Sequence, residues 1–553
     1  MVGSPEPFFS TPDHEYRRAG LWGDASVLDW FHLAVLSSGG KDAVVDRLGT
    51  SLTFRELDAE SSRLATWMIE RGVNPGDVVG IQLPNWADFT VIYVACMKAG
   101  AVINAIPTNL RLAELSQICT MTKAVMMFHP TKFRHTEFEG LALQLKAKCP
   151  SIKDSVLVDR LGVEPRDLWS FDHIVRTSRP LDRSRERVSL GADLAAILFT
   201  SGSEAEPKGV MLSHNNLIAS ERAFASTLNI TWSDRMFMPA PVGHATGFLH
   251  GVTMPLISQI TSVLCDVSSG PEMVKMLRRT EATGGMAVPA LAEAILDECV
   301  GSECRLPALR FLCCGGSPVP RALVVRARGY GISLYSVYGS TESAPHTMTT
   351  FCDDEDRVVN TDGRACWGTR VKVVDPVTRE EVPVGTPGEE VSRGPAVFMG
   401  YLGRPDLTAR AIDEDGWYYS GDLCVMDEGG YIRITGRLKD IVIRGGENIS
   451  VAEVEQVLCE HPRVKEAAVI GIEDPALGQR LCACIVSRDG KIVTVSELCD
   501  HFVSRNFAKF KIPEKVVMLQ EMPRTSSDKI SKRELRNRFA AGVPAGYEVS
   551  TAV

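Results

Sequence analysis

Between Leu194 and Val210 the chain carries residue types that suit a polyphosphate. An apolar, strand-like run from Leu194 to Phe199 empties into a loop of Thr200, Ser201, Gly202 and Ser203, closed by Pro207, Lys208 and Gly209. Hydroxyls and backbone N–H groups of such a loop can donate to phosphate oxygens, and Lys208 adds a point charge. It is not a Walker A loop, which needs Gly-Lys-Ser/Thr, whereas Lys208 precedes a lone glycine. Taken alone, the stretch reads equally well as a Ser/Gly-rich surface turn.

Five further segments set charged, hydroxyl or glycine residues in turns. Tyr338-Gly339-Ser340-Thr341-Glu342-Ser343 follows a strand-like run and offers hydroxyls beside a carboxylate. A glutamate so placed can hold Mg²⁺ next to a triphosphate. Tyr419-Ser420-Gly421-Asp422-Leu423 sets an acid in a tight turn, suited to accepting the two hydroxyl hydrogens of a ribose. Gly436-Arg437-Leu438-Lys439-Asp440 and Arg444-Gly445-Gly446-Glu447-Asn448-Ile449 join basic groups to a hinge-like loop. Pro523-Arg524-Thr525-Ser526-Ser527-Asp528-Lys529-Ile530 sets Lys529 in a polar loop near the end of the chain. Each alone also fits an ordinary turn or a solvated charge cluster.

The elements that must position these loops follow a βαβ rhythm. Residues 53 to 125 alternate an amphipathic stretch (Leu57, Leu64, Trp67, Met68), a buried strand at 77–83, a helix at 89–98 and a strand from Gly100. A parallel sheet with covering helices is the expected result. The pattern returns around the phosphate-type loop and at Leu309–Gly316. From about 365 short strands and turns predict a small β-rich module. The segments after Arg437 predict a separate unit, with helices at 452–460 and 496–505 and strands at 466–471 and 481–487. The expected division is therefore 1–437 and 438–553.

Composition narrows the function classes. A net charge of −9 over 553 residues gives no support to a nucleic-acid surface. It requires instead that anionic substrates be drawn in by local lysines, arginines and helix N-termini. The fifteen cysteines include no Cys-x-x-Cys pair, so buried reduced thiols are expected rather than zinc or a disulfide framework. The N-terminal residues lack a basic and apolar leader, and no stretch approaches the ~20 apolar residues of a membrane helix. A soluble, cytoplasmic protein is expected.

In order and spacing, these segments together resemble the adenylate-forming superfamily: acyl-CoA synthetases, acid-adenylating enzymes and firefly-type luciferases. The resemblance runs from about residue 20 to 540. Within it the chain is most similar to bacterial short- and medium-chain fatty acyl-CoA synthetases. That similarity rests on Gly20-Leu21-Trp22-Gly23-Asp24-Ala25-Ser26, on Pro241-Val242-Gly243-His244-Ala245-Thr246-Gly247-Phe248-Leu249-His250-Gly251 and on Ser336–Ser343. It implies an α/β fold: a large N-terminal domain of two α/β subdomains plus a distorted β-barrel, capped by a small mobile α+β C-terminal lid. It also implies two half-reactions. A carboxylate attacks the α-phosphorus of MgATP to give acyl-adenylate and pyrophosphate; the lid then rotates and a CoA thiol attacks the adenylate. In the first of these, positioning and charge neutralisation dominate.

By the same resemblance, Thr200 to Lys208 hold the β- and γ-phosphates, Thr341 the α-phosphate and Glu342 the Mg²⁺. Gly315, Gly316 and Ser317, with the backbone at Tyr338, Gly339 and Ser340, frame adenine. Asp422 and Arg437 grip the ribose, and Lys439 is the hinge. Lys529 bridges the carboxylate and α-phosphate, and Gly445 and Gly446 line the pantetheine passage. His244 matches the gate beside the substrate carboxylate. Ala245, Thr246, Gly247 and Phe248 follow it where amino-acid-activating relatives commonly carry an acid, so an uncharged, apolar acyl pocket is expected.

Three positions depart from the family pattern. Ala205 stands at a usual glycine, Ser203 at a common threonine, and Asp528 at the glycine before the catalytic lysine. An acid beside Lys529 can raise that lysine's pKa or change how its loop swings. These departures keep a diazotase open, which would adenylate nitrite and pass it to an aryl amine without CoA. An adenylating enzyme that loads a carrier-protein thiol is also open, and a homodimer is entertained as the assembly. A non-catalytic scaffold has no need to retain Lys208, Glu342, Asp422, Arg437 and Lys529 together.

Overall fold

The structure is a computed structural model that describes residues 12–160, 167–200, 207–317, 319–444, 447–474, 477–505, 511–525, 529–539 and 549–551. The chain divides into two compact units, Met1–Val371 with Ser392–Tyr419, and Lys372–Val391 with Ser420–Val553.

The first unit is built on two large sheets. In the nine-stranded sheet the strands Asp42–Asp46, Thr261–Leu264, Arg235–Met238, Gly284–Ala287, Phe311–Gly315 and Leu334–Ser340 lie side by side and parallel. Antiparallel strands close both edges. The eight-stranded sheet has a parallel centre of Val102–Ala105, Val78–Ile81, Met126–Pro130 and Asp154–Val158. Leu194–Thr200 runs parallel to that centre, and Lys208–Ser213 folds back against it as an antiparallel hairpin. Strands buried on both faces read as continuous apolar runs, which is why 77–83 and 194–199 were legible.

Helix Ala87–Ala99 is buried along its whole length and touches strands of both sheets. A helix with no polar face belongs in an interior, and this one joins the core shared by the two sheets. Its one cation, Lys98, is satisfied by Asp58 Oδ1 and Ser62 Oγ, each at 2.6 Å. The neighbouring helix Phe54–Glu70 starts at a capping box: Thr53 Oγ1 accepts from the Glu56 N–H at 3.2 Å and Glu56 accepts the Thr53 N–H at 2.8 Å.

The short-strand region forms a four-stranded sheet of Arg370–Val374, Gly388–Arg393, Tyr418–Met426 and Ile432–Arg437, most of whose residues fall in the second unit. The C-terminal sheet has six strands, with Gly478–Ser487 between Val464–Asp474 and Lys515–Met518. Alternation along Gly478–Ser487 sends Leu481, Ala483 and Ile485 to helices Val451–Cys459 and Val495–Val503. Cys482 and Cys484 face helix Lys532–Phe539 instead. All fifteen cysteines are free and most are buried. Among the described residues, no helix is long and apolar enough to cross a membrane.

Candidate active site

The C-terminal ends of adjacent parallel strands are where α/β sheets bind ligands. Two of the loops singled out by sequence sit at such ends, on neighbouring strands, because Gly315 is the register partner of Val337. A side chain on Gly315 would meet the Val337 carbonyl oxygen at 2.3 Å, so the close approach of these strands demands glycine. Gly316 turns the chain out of the strand with φ +79, and Ser317 is exposed beyond it.

The Tyr338–Glu342 segment is set by backbone contacts. A Cβ on Gly339 would lie 2.1 Å from the Ala344 carbonyl oxygen. Ala344 itself adopts φ 54, a left-handed conformation uncommon for a residue with a side chain. Hydrogen bonds hold this tight turn: Ser343 N–H donates to Ser340 Oγ at 3.2 Å, and Ser343 Oγ lies 2.9 Å from His346 Nδ1. The Tyr338 ring meets His346 edge-on at 4.9 Å, and Ser340 Oγ donates to the Tyr418 hydroxyl at 3.4 Å. Thr341 is half-buried.

Tyr401 joins this turn to the phosphate-type loop. Its hydroxyl donates to Glu342 Oε1 at 2.8 Å, and Lys208 Nζ stands over its ring, 5.5 Å from the centroid. The backbone reinforces the arrangement, since Phe398 N–H donates to the Glu342 carbonyl at 2.7 Å and Leu402 N–H to that of Gly209 at 2.8 Å. Thr200 and Lys208 face each other across the hairpin, so they close the loop between them. Ser201, Gly202, Ser203 and Ala205 lie outside the described residues.

His244 is half-buried, with its N–H bonded to the Pro241 carbonyl at 3.1 Å and its own carbonyl accepting from Phe248 N–H at 2.9 Å. A seven-residue π-helix, Gly247–Thr253, follows and is wholly buried. Gly247 is forced by the Pro241 carbonyl, 2.2 Å from where a Cβ would stand. Phe248 packs edge-on against Phe89 and Tyr93. His250 Nδ1 is 2.8 Å from Glu221 Oε2 and its ring stacks on Phe224 at 4.1 Å. The Glu221 carboxylate that reaches this segment is therefore spent on a buried partner.

In the second unit, Asp422 and Arg437 are directly opposite on paired antiparallel strands, with Oδ1 and Nε 2.7 Å apart. Asp422 is buried and Arg437 is exposed. The turn before Asp422 uses Gly421 at φ 72, whose N–H donates to Glu389 Oε1 at 3.0 Å. Burial, opposed by that hydrogen bond, pushes the Glu389 carboxyl up. Lys439 falls in the short turn Leu438–Asp440. Gly445, Gly446 and Asp528 lie outside the described residues. Lys529 is exposed; Thr525 N–H donates to the Lys529 carbonyl at 2.7 Å and Lys529 N–H to Thr525 Oγ1 at 3.3 Å.

Sequence reasoning missed Tyr401, His346, the Glu221–His250 pair and the partners of Asp440. None carries a local signature: Tyr401 is 59 residues from Glu342, and Glu221 is 29 from His250.

Two sheets, a phosphate-type loop bound through one tyrosine to an acid-bearing turn, and a small second unit with a lysine on a loop define an adenylate-forming enzyme. The solved ATP-bound MatB from Rhodopseudomonas palustris has the same fold, with a TM-score of 0.83 at 26% identity over 94% of this chain and 99% of that one. Residues 31–402 match the AMP-binding enzyme family and residues 453–529 the AMP-binding enzyme C-terminal domain. The chain belongs to the AMP-binding enzyme family. It is 45% identical to the medium-chain fatty-acid–CoA ligase of Escherichia coli (strain K12), over 94% of this chain and 92% of that protein. It is 33% identical to a feruloyl-CoA synthase of Amycolatopsis sp, over 89% and 94% respectively.

Proposed function

We propose that the enzyme joins an apolar, medium-chain carboxylic acid to CoA in the cytoplasm, through an acyl-adenylate formed from ATP. The observation that carries this reading is the Lys208–Tyr401–Glu342 group, a cation and an anion held on one side chain at the mouth of the phosphate-type loop. A triphosphate needs both: Lys208 to meet its oxygens and Glu342 to meet the metal that accompanies them.

The donor set suits Mg²⁺. Among the described residues no cluster of three acids, histidines or cysteines forms a dedicated metal cage. Mg²⁺ takes hard oxygens, commonly one or two carboxylates with phosphate and water completing its shell. Glu342, beside the hydroxyls of Ser340 and Thr341, offers that kind of partial site. When bound, the ion neutralises phosphate charge.

The chain's own residues do the rest of the work. Thr200, Ser201, Gly202, Ser203 and Lys208 cradle the β- and γ-phosphates, and Thr341 donates to the α-phosphate. Gly315, Gly316 and Ser317, with the backbone of Tyr338–Ser340, frame adenine. Asp422, paired with Arg437, accepts the ribose hydroxyls. His244 sits beside the acid's carboxylate, and the uncharged run Ala245-Thr246-Gly247-Phe248 that follows it favours a hydrocarbon tail. Lys529 offsets the repulsion between carboxylate and α-phosphate as the carboxylate oxygen attacks and pyrophosphate leaves. The boundary after Arg437 is a functional one: the segment 438–553 pivots at Lys439, withdraws Lys529 and brings Gly445 and Gly446 to the pantetheine arm. The CoA thiol, losing its proton, then displaces AMP.

Pyrophosphate release from MgATP, measured with octanoate, aryl acids and nitrite plus an aryl amine, tests the reading. Release with octanoate accompanied by octanoyl-CoA is the expected result. Turnover with nitrite and amine alone, without thioester, would refute it.

A further inference from the structure

The chain passes from the four-stranded sheet to the C-terminal sheet through one short turn, Leu438–Asp440, between the strands Ile432–Arg437 and Ile441–Arg444. Ion pairs stand on both sides of it. Upstream, Arg437 is bound to Asp422 at 2.7 Å. Downstream, Asp440 meets the Arg536 guanidinium, and its other oxygen lies 3.9 Å from Lys532 Nζ.

Lys532 continues the network, 2.8 Å from Glu455 Oε2, while Glu455 Oε1 accepts the Val469 N–H at 2.6 Å. Two acids thus alternate with two bases in a half-buried cluster. Burial raises the Asp440 carboxyl's pKa and the neighbouring Lys532 and Arg536 lower it, with a net shift downward, so Asp440 stays ionised. Loss of one member leaves a charge of the opposite sign poorly compensated.

The two bases belong to helix Lys532–Phe539, which begins three residues after Lys529. Leu535 and Phe539 anchor that helix to the sheet face formed by Ala468, Ile470, Cys482 and Cys484. The apolar anchor holds the helix to its sheet without help from Asp440. What Asp440 adds is a tie between that helix and the turn at the start of the sheet.

We propose that Asp440, through Arg536 and Lys532, couples the pivoting turn to the helix that follows Lys529, so that pivot and lysine travel as one body. The inference rests on the roles given above to Lys529 and to the turn. Asp440 touches neither substrate nor nucleotide in this account; it is a positioning residue for adenylation. Without the tie, part of any rotation at the turn is absorbed as slack, and Lys529 arrives out of register. Thioester formation does not use Lys529 and is spared.

The test uses the full chain with octanoate as probe acid, reading pyrophosphate–ATP exchange for adenylation and CoA capture of supplied octanoyl-adenylate for the second step. Asp440→Asn is expected to lower exchange about a hundredfold and CoA capture by less than about threefold, as misplacement of one group by roughly 1 Å would. Asp440→Glu should recover most of the exchange. Arg536→Gln should reproduce the split from the other side of the pair, and the double variant should lose little more than either single one. Equal losses in both half-reactions, or undiminished exchange, in folded Asp440→Asn and Arg536→Gln would overturn the coupling. Exchange that survives Lys529→Ala would overturn the underlying assignment of the lysine instead.

Discussion

The turn that carries Glu342 and the loop that carries Lys529 are held by different physics. Around Glu342, carbonyl oxygens forbid any side chain at Gly315 and Gly339, Ala344 is driven to positive φ, and buried rings pack behind. Around Lys529, whose side chain is exposed, two hydrogen bonds with Thr525 and the Arg524–Ile530 bridge hold the backbone. A group that serves every turnover in one position can be locked by steric exclusion. A group carried in and out with its whole unit needs no such lock at its own loop, and hydrogen bonds can hold it there.

Lys529→Ala breaks the comparison most severely. Loss of a charge aimed at the developing transition state should lower pyrophosphate–ATP exchange about a thousandfold. CoA capture of supplied acyl-adenylate should stay within a few-fold of the parent, and thermal stability should not move, because the side chain is exposed. Equal loss in both steps would place Lys529 in a structural role.

Gly339→Ala is the matching insult to the other region, with the opposite signature. The new Cβ meets backbone, not a flexible side chain, so the turn must shift. Overpacking of this kind costs about 1–3 kcal/mol. Calorimetry should show that loss of stability together with weaker MgATP binding. An unchanged melting temperature would mean the turn is looser than its contacts imply.

Much of this was legible in the sequence, and the reasons differ by region. The parallel strands and the fully buried helix at 87–99 show as apolar runs, because burial on all sides leaves a local pattern. The Tyr338–Ser343 turn and the Asp422 turn were legible as turns, since glycine and hydroxyl residues are set by backbone needs within a few positions. The contacts that fix those motifs were not. Tyr401 reaches Glu342 across 59 residues, and Arg536 reaches Asp440 across 96. A lone tyrosine or arginine carries no sign of which distant carboxylate it will meet. The π-helix after His244 was also unforeseen, because one extra residue in a helical turn changes no composition.

Acid sharpens the contrast in a smaller way. His129 and His214, both in the first unit, are held down to about 4 by burial. Each must be neutral in the fold yet charges on unfolding, so the unfolded chain binds more protons between pH 4 and 6.5. Their contribution is complete above pH 6.5 and is lost as pH falls toward 4, amounting to about 1 kcal/mol each by pH 5.5. Unfolding followed at pH 7.5 and 5.5 should show the first unit weakening. His129→Gln and His214→Gln should flatten that slope, and a slope unaltered by both would assign it to other groups.

The smallest expected effect isolates the contact that sequence could not show. Tyr401→Phe keeps the ring beneath Lys208 and deletes only the hydroxyl that holds Glu342 Oε1. A hydrogen bond to a charged acceptor contributes about 1.5–3 kcal/mol, and a carboxylate that can turn to water recovers part of it, so kcat/KM for MgATP should fall about tenfold. The fall should be partly offset at high Mg²⁺, since excess metal can recapture a swinging carboxylate. Tyr401→Leu removes the ring as well and should be worse, with a loss that Mg²⁺ does not recover, because Lys208 then lacks its platform. If both variants lose equally, the hydroxyl alone matters and the cation–ring contact is incidental. If Tyr401→Phe matches the parent at every Mg²⁺ concentration, Glu342 is positioned by its backbone alone, and steric exclusion suffices to build this side of the site.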